Sequence, residues 1–240
     1  TLIFMTEVSL KTLLEVGAHF GHQARRWNPK MAPYLYGVQD GVHVFDLVKT
    51  KEALEEALEA IKTAASEGKV ILLLGSKKQA KDKIIEIGSE TGVPYVSERW
   101  LGGTISNFEM IKRSLTKLSE MKAKMAAGEY NIYTKKERLL LEREIARLER
   151  FFGGMASLEK TPDMLVLVDT HKETGAVKEA RKSKITVVGI VDSNADPAAV
   201  DYPIPMNDDA SKALDYVLGL IKEAIVEGKK KVKKVNKEEK

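Results

Sequence analysis

The sequence predicts a three-layer α/β core, in which helices cover both faces of a parallel sheet. Two runs, VILLL at 70–74 and MLVLV at 164–168, are apolar throughout, as in strands buried on both faces. Helical segments alternate with such runs along the chain, which is typical of parallel sheets. With 240 residues and 43% hydrophobic content, the chain is long enough for one sizeable core.

The elements follow in order. We expect a strand at 42–45 and a helix from about 49 to 66, then the strand at 70–74 and a polar helix from about 77 to 91, stopped by Gly92 and Pro94. The second half repeats the pattern with strands at 164–168 and 186–191 and helices at 174–182 and 208–226. All of these strands are expected to join the core.

Residues 106–150 interrupt this alternation. Apolar residues recur there with spacings of four and three on two successive segments, which is a heptad pattern. We therefore expect an antiparallel coiled-coil helical hairpin inserted into the core and projecting from it; ordinary core-packing helices are the alternative. The predicted units are a core of residues 1–105 and 151–227, the inserted hairpin 106–150 and a basic, flexible tail 228–240.

Basic charge is concentrated in three segments. Residues 17–36 carry +3, and residues 112–150 and 228–240 carry +5 each, whereas the whole chain carries only +4. The remainder therefore carries −9. This separation favours a polyanionic partner, with solvated surface as the alternative for any one segment.

Composition excludes several classes of protein. The chain contains no cysteine, which rules out disulfides and thiol chemistry and fits a reducing compartment. It has no run of eighteen apolar residues and no secretory signal pattern, so we expect a cytoplasmic protein without membrane association. Met5 would make a sensible start, with residues 1–4 as an extension or artefact.

Motifs of catalysis are missing from the sequence. It contains no GxxxxGK[ST] loop, no GxGxxG turn after a strand and no GxSxG elbow, so we expect neither an enzyme nor a cofactor. The alternative is a nucleotide- or metal-dependent α/β enzyme that uses residues 75–78. DSNAD at 192–196 fails as a calcium loop and predicts Asp196 as a helix N-cap before Pro197. Metal binding stays open, with His19, His22, Asp169 and Asp192 as candidates.

Two motifs combine cations, tryptophan and glycine. GAHFGHQARRWNPKM at 17–31 has no acid, and RWLGGTISN at 99–107 leads into the predicted hairpin. Arginine and lysine suit phosphates, while glycine allows close approach of the backbone. The two tryptophans are interpreted either as packing anchors or as stacking platforms. Helical RNA is read through shape, phosphates and 2′-hydroxyls, which suits such motifs.

These motifs, with GSKKQA, PDMLVLVD, IVDSNADP and NDDA, make the sequence resemble the bacterial small-subunit ribosomal protein two family over residues 6–228. The resemblance implies a flavodoxin-like domain with an inserted coiled-coil hairpin, bound to 16S rRNA. It also implies that the protein helps to dock small-subunit protein one for translation and contacts neighbouring small-subunit ribosomal proteins. No homo-oligomer is expected. The residues expected to bind rRNA are Arg25, Arg26, Trp27, Asn28, Lys30, Lys77, Lys78, Arg99, Trp100, Asn107, Lys112 and Arg113.

Overall fold

The computed structural model describes residues 8–238, with side chains through residue 231. Residues 1–4 and Met5 therefore lie outside the described residues, as do 239 and 240. The helices and strands follow along the chain as α1 (Leu10–Glu15), β1 (Phe20–Gln23), β2 (Leu35–Gln39), β3 (Val42–Phe45), α2 (Leu47–Ser66), β4 (Ile71–Leu74), α3 (Lys78–Thr91), β5 (Tyr95–Val96), α4 (Phe108–Ala126), α5 (Lys135–Phe152), β6 (Met164–Val168), α6 (Thr174–Lys182), β7 (Thr186–Val191), β8 (Tyr202–Pro205) and α7 (Ser211–Glu238).

A five-stranded parallel sheet forms the centre of the molecule. Its strand order is β5-β4-β6-β7-β8, which is the doubly wound order 2-1-3-4-5 of flavodoxin-like folds. Alternate residues of β4 enter two separate apolar clusters: Leu73 packs with side chains of α2, α3 and α7, and Leu72 with those of α4, α5 and α6. Helices thus cover both faces, and the predicted three-layer α/β core is confirmed.

The strand at 42–45 is predicted for this sheet, and that prediction is wrong. β3 is the middle strand of a separate three-stranded antiparallel sheet of order β1-β3-β2. Its residues alternate between partly and fully buried, as in a sheet with one face towards the core. Asp40 and Gly41, both with positive φ (51° and 77°), connect β2 to β3 in the two-residue turn that Asp-Gly favours.

Two helices occupy the segment predicted as an insertion. α5 begins with a capping box, in which the side chain of Thr134 accepts the amide of Glu137 and the side chain of Glu137 accepts the amide of Thr134. Buried residues of both helices join the same cluster as Leu72, namely Ile111, Leu118, Ile145 and Leu148. At the far end of α4, Met125 is 45% exposed. Part of the heptad pattern therefore packs on the core, and coiled-coil geometry stays a prediction.

The last helix is longer than expected. It begins at Ser211 and continues to Glu238 instead of ending near Val226, so it includes most of the segment predicted as a tail. α2 supplies the packing: a Cβ on Gly228 would lie 2.5 Å from the carbonyl oxygen of Lys62, and Lys62 pairs with Glu227 at 2.6 Å. In the part of the chain that the structure describes, no helix has the length and apolarity needed to cross a membrane.

Gly154 tests how α5 is seated on the sheet. A Cβ at this position would lie 2.4 Å from the carbonyl oxygen of Tyr95 in β5, a backbone atom that cannot swing away. We expect Gly154→Ala to lower the free energy of unfolding by about 1–3 kcal/mol in urea denaturation. Gly175→Ala is the matched control, because a Cβ there meets no atom within 4 Å. Equal stability of the two variants would contradict this packing.

Candidate nucleic-acid interface

Both basic motifs lie at the carboxyl edge of the parallel sheet. The second motif, residues 99–107, follows β5 directly, and the first docks on Ser193, which follows β7. In the sheet, β5 and β7 are separated by β4 and β6. Three strand spacings amount to roughly 14 Å. One extended ligand crossing this edge would therefore reach both motifs.

The first motif is fastened to the core by its backbone. The amide of Asn28 donates to the carbonyl of Ser193 at 2.7 Å, and the amide of His22 donates to the hydroxyl of Ser193 at 2.7 Å. Glycine is needed at Gly21, where a Cβ would lie 2.8 Å from the same hydroxyl. Ser193 itself is fully buried. Through these contacts the backbone at His22 and Gly21 forms a packing frame for the first motif.

This frame presents cations outwards. Arg25 and Arg26 are exposed, and within residues 8–231 neither has a carboxylate partner; Arg25 Nε donates to Gln23 Oε1 at 3.0 Å. Lys30 pairs with Asp196 at 2.6 Å while 62% of its side chain stays exposed. Trp27 is 37% exposed, and its ring centroid lies 4.8 Å from that of the buried His43. The indole thus covers the core and keeps an accessible face.

The loop of the second motif is held by one carboxylate. Glu179 of α6 accepts hydrogen bonds from the amides of Gly103 at 2.7 Å, Ile105 at 3.2 Å and Ser106 at 3.3 Å. Burial alone would raise the pKa of Glu179, but these amide bonds outweigh it and hold the pKa below its ordinary value. Arg99 and Asn107 of this motif are exposed, as are Lys112 and Arg113 in α4.

The structure corrects two of the predicted contacts. Trp100 is only 8% exposed and packs in the core, so it offers no face for stacking. Lys77 lies 2.6 Å from a carboxylate oxygen of Asp208, 2.6 Å from one of Asp209 and 3.5 Å from one of Asp169. Burial lowers the pKa of Lys77, but hydrogen bonds to two of these carboxylates outweigh it and keep the pKa above its ordinary value. Its charge is thus neutralised internally, whereas Lys78 is exposed.

A second charged cluster lies behind the first motif. His22 Nδ1 is 2.9 Å from Asp192 Oδ1, and this hydrogen bond raises the pKa of His22. Burial would raise the pKa of Asp192, but the bond from His22 outweighs it and the pKa is lowered. Asp208, 2% exposed, has its pKa raised to about 7 by burial and by the neighbouring carboxylates.

The metal candidates fall into different places. Among the described residues, His22, Asp208 and Asp209 are the group whose ligand atoms lie close enough to share an ion. Asp192 lies behind His22, and Asp169 accepts the amide of Lys172 at 2.8 Å and pairs with Lys77. His19 is not part of the group, and burial lowers its pKa. Sequence reasoning missed Asp208 and Asp209, although they follow β8 at the same edge of the sheet.

Asp196 behaves as predicted. Its side chain accepts the amide of Ala198 at 3.0 Å and caps the 3-10 turn Pro197–Ala199. The same carboxylate holds Lys30, and that bond lowers the pKa of Asp196. The turn after β7 therefore supports the first motif at a second point besides Ser193.

Known proteins similar to the chain agree on one family. A family model described as Ribosomal protein S2 matches residues 13–228. The chain is 46% identical over 222 residues to the small ribosomal subunit protein uS2 of a Nitratiruptor species, covering 92% of the chain and 83% of the relative. It is also 46% identical over 221 residues to the protein of the same name from a Roseiflexus species, covering 92% and 84% respectively.

Glu179 provides a test of how the second motif is held. We expect Glu179→Ala to lower the free energy of unfolding by about 1–3 kcal/mol, because three backbone amides lose their acceptor. Lys178→Ala, the exposed neighbour on α6, is the control and should change stability by less than about 0.5 kcal/mol. Urea denaturation of both variants measures the difference; a stable Glu179→Ala would show that the loop does not depend on this carboxylate.

Glu173 gives the same edge of the sheet a pH dependence. It is 6% exposed and hydrogen-bonded to Ser76, and burial raises its pKa. The folded state therefore binds this proton more tightly than the unfolded state, so stability falls as pH rises through the raised pKa. As the pH rises above the ordinary pKa of a glutamate, we expect Glu173→Gln to lose less unfolding free energy than the original chain. The exposed Glu59→Gln should lose as much as the original chain, and identical pH profiles for all three proteins would refute the assignment.

Proposed function

The chain belongs to the ribosomal protein S2 family, and on that premise we propose that the carboxyl edge of its parallel sheet binds 16S rRNA. As a family member it is a structural component of the small ribosomal subunit, not an enzyme, and it is ribosome-bound in the cytoplasm. The proposal concerns the surface that makes the RNA contact.

One observation carries this proposal: both basic motifs lie at one edge of the parallel sheet, the second after β5 and the first docked on Ser193 after β7, and both present cations without internal partners. Within residues 8–231, no ion-pair partner is present for Arg25, Arg26, Lys78, Arg99, Lys112 or Arg113. Free cations on a rigid frame suit recognition of phosphates and A-form shape. We call this the carboxyl-edge surface, made of Arg25, Arg26, Trp27, Asn28, Lys30, Lys78, Arg99, Asn107, Lys112 and Arg113.

The residues of the alternative enzyme are engaged elsewhere. Lys77, which follows β4, is paired with carboxylates, and the carboxylate of Asp169 holds a backbone amide. The turn at 75–78 thus offers a nucleotide only the exposed Lys78 and its amides. Family membership and this arrangement both favour a structural role.

On the resemblance alone, we also propose that the chain helps to dock small-subunit protein one and contacts neighbouring small-subunit ribosomal proteins. We further propose that α4 and α5 form a coiled-coil insertion between the core segments 1–105 and 151–227. Half-buried Leu115 and Leu141 support it, because both belong to the predicted heptad pattern and pack against the same cluster.

The docking role predicts that small subunits assembled without this chain retain less protein one in sedimentation. Undiminished retention would refute the docking role.

Charge reversal tests the carboxyl-edge surface. We expect Arg25→Glu/Arg26→Glu to weaken binding to a 16S rRNA fragment by at least about tenfold near 0.1 M salt, because two phosphate contacts become repulsive. The thermal stability should stay nearly unchanged, since both side chains are exposed. Filter binding measures the affinity, and calorimetry checks the fold.

Lys69→Glu/Lys160→Glu is the matched control. These exposed lysines precede β4 and β6, so they lie at the opposite, amino edge of the sheet. Replacing both with glutamate changes the net charge by the same amount as in the Arg25/Arg26 variant. The affinity of this control variant for RNA should fall by much less than that of the Arg25→Glu/Arg26→Glu variant. The logarithm of the binding constant should also decline with the logarithm of the salt concentration less steeply for the Arg25/Arg26 variant than for the original chain. An equal loss in both double variants would refute a localised surface.

A further inference from the structure

A groove runs between α2 and the outer strand β8. Two cavities, of about 550 Å³ and 530 Å³, share Glu56 and Tyr202 in their walls and therefore form one continuous depression. Three glutamates of α2 line it, namely Glu52, Glu56 and Glu59. Its apolar wall includes Tyr34, Ala53, Ala60, Met164, Tyr202 and Pro203. We propose that this groove, which we call the α2–β8 groove, binds an extended, arginine-rich segment of a protein partner.

The three glutamates share one face of α2 and lack a cation. Glu52, Glu56 and Glu59 are spaced four and three residues apart along the helix, so their side chains are neighbours on its surface. All three are exposed, and within residues 8–231 none of them has an ion-pair partner. Like charges at these spacings repel one another and destabilise a helix. A cationic partner relieves this repulsion, which gives the groove a preference for positive charge.

The lysines at the two ends of the groove do not supply that cation. Lys49 Nζ donates to the carbonyl oxygen of Pro33 and lies 3.9 Å from a carboxylate oxygen of Asp46. Lys69 pairs with Glu67 at 2.7 Å. The whole chain carries +4, so the negative charge of the groove is a local feature and does not follow from the net charge. Because this negative charge repels RNA phosphates, the partner is a protein.

The length of the groove fits an extended segment. Its lining along α2 runs from Lys49 to Thr63, which is roughly 21 Å at about 1.5 Å per helical residue. An extended chain covers this distance with about six residues at roughly 3.3 Å each. Alternate side chains of such a chain point the same way about 6.6 Å apart, close to the helical rise of roughly 6 Å between Glu52 and Glu56. Arginine at every second position therefore meets successive carboxylates.

Side chains, and not the strand edge, hold the partner. β8 is the last strand of the parallel sheet and contains Pro203 and Pro205, which have no amide to offer to an added strand. The half-buried rings of Tyr34 and Tyr202 line the groove beside the carboxylates. A guanidinium binds a carboxylate through two parallel hydrogen bonds and also stacks on aromatic rings. This combination of carboxylates and tyrosines favours arginine over lysine.

The test uses the full-length chain and a fluorescent eight-residue peptide in which arginine alternates with alanine. We expect fluorescence anisotropy to detect binding of this peptide, and Glu52→Gln/Glu56→Gln to weaken the binding about tenfold, because two charge pairs are lost. Glu120→Gln/Glu142→Gln is the matched control, since it removes the same charge from exposed positions of α4 and α5. The control should bind the peptide as the original chain does. Calorimetry confirms that both variants are folded.

Two further comparisons separate the groove from general attraction between charges. A peptide with citrulline in place of arginine keeps the shape of the side chain without its charge, and its affinity should fall at least about tenfold. Ala53→Lys, in the wall of the groove, should weaken binding of the arginine peptide, whereas Ala123→Lys on the exposed face of α4 should not.

Three outcomes would overturn the groove: no binding of the arginine peptide to the original chain, equal affinity of the Glu52/Glu56 variant and its control, or equal affinity of the citrulline peptide. Equal affinity of a lysine version of the peptide would overturn the preference for arginine. Binding to the 16S rRNA fragment is measured separately, and it should be the same for the Glu52/Glu56 variant as for its control. Failure of the groove is thereby distinguished from failure of the carboxyl-edge surface.

Discussion

The buried carboxylate of Asp192 is the interaction on which the placement of the first motif depends. It lies at the end of β7, 1% exposed, where an unpaired charge would cost several kcal/mol. Its partners are His22, the amide of Ser193 and the amide of Asp208. Each partner lies on a different segment: His22 is in β1, Ser193 follows β7, and Asp208 precedes α7. Satisfying one carboxylate therefore aligns three segments, and the exposed arginines follow from that alignment.

The core is predictable where hydrophobicity is continuous. β6 and β7 are buried almost throughout, and their apolar runs indicate this directly. The sequence predicts β3 for the wrong sheet, because a run as short as VHVF fits a parallel and an antiparallel sheet equally well. The Asp40-Gly41 turn before it is, however, a hairpin signal. β5 has two residues, and β8 contains Pro203 and Pro205, so neither has a strand pattern. α7 extends past Val226 because α2 packs against it, a tertiary contact that local sequence does not contain.

The carboxyl-edge surface is predictable in residue type and only partly in position. Arg25 and Arg26 are exposed as expected, because no acid lies near them in sequence and none pairs with them among the described residues. Lys77 and Trp100 have the right chemistry for RNA, but their partners come from distant parts of the chain: Asp208 is 131 residues from Lys77. The roles of Asp208 and Asp209 are hidden from the sequence for the same reason. Sequence shows which side chains can bind a phosphate, and the fold decides which of them are already occupied.

Neutralising the acidic cluster matters for a surface that meets RNA. Four carboxylates at the same edge as the first motif would repel a polyanion, because they lie closer to this motif than the screening length of about 8–10 Å at physiological salt. Lys77 and His22 offset part of this charge from within, through their contacts with Asp208, Asp209 and Asp192. The arginines can then bind phosphates with less repulsion between these phosphates and the carboxylates beneath the motif. An acidic interior with a basic rim therefore requires internal cations, and that requirement explains why Lys77, although basic, does not lie on the surface.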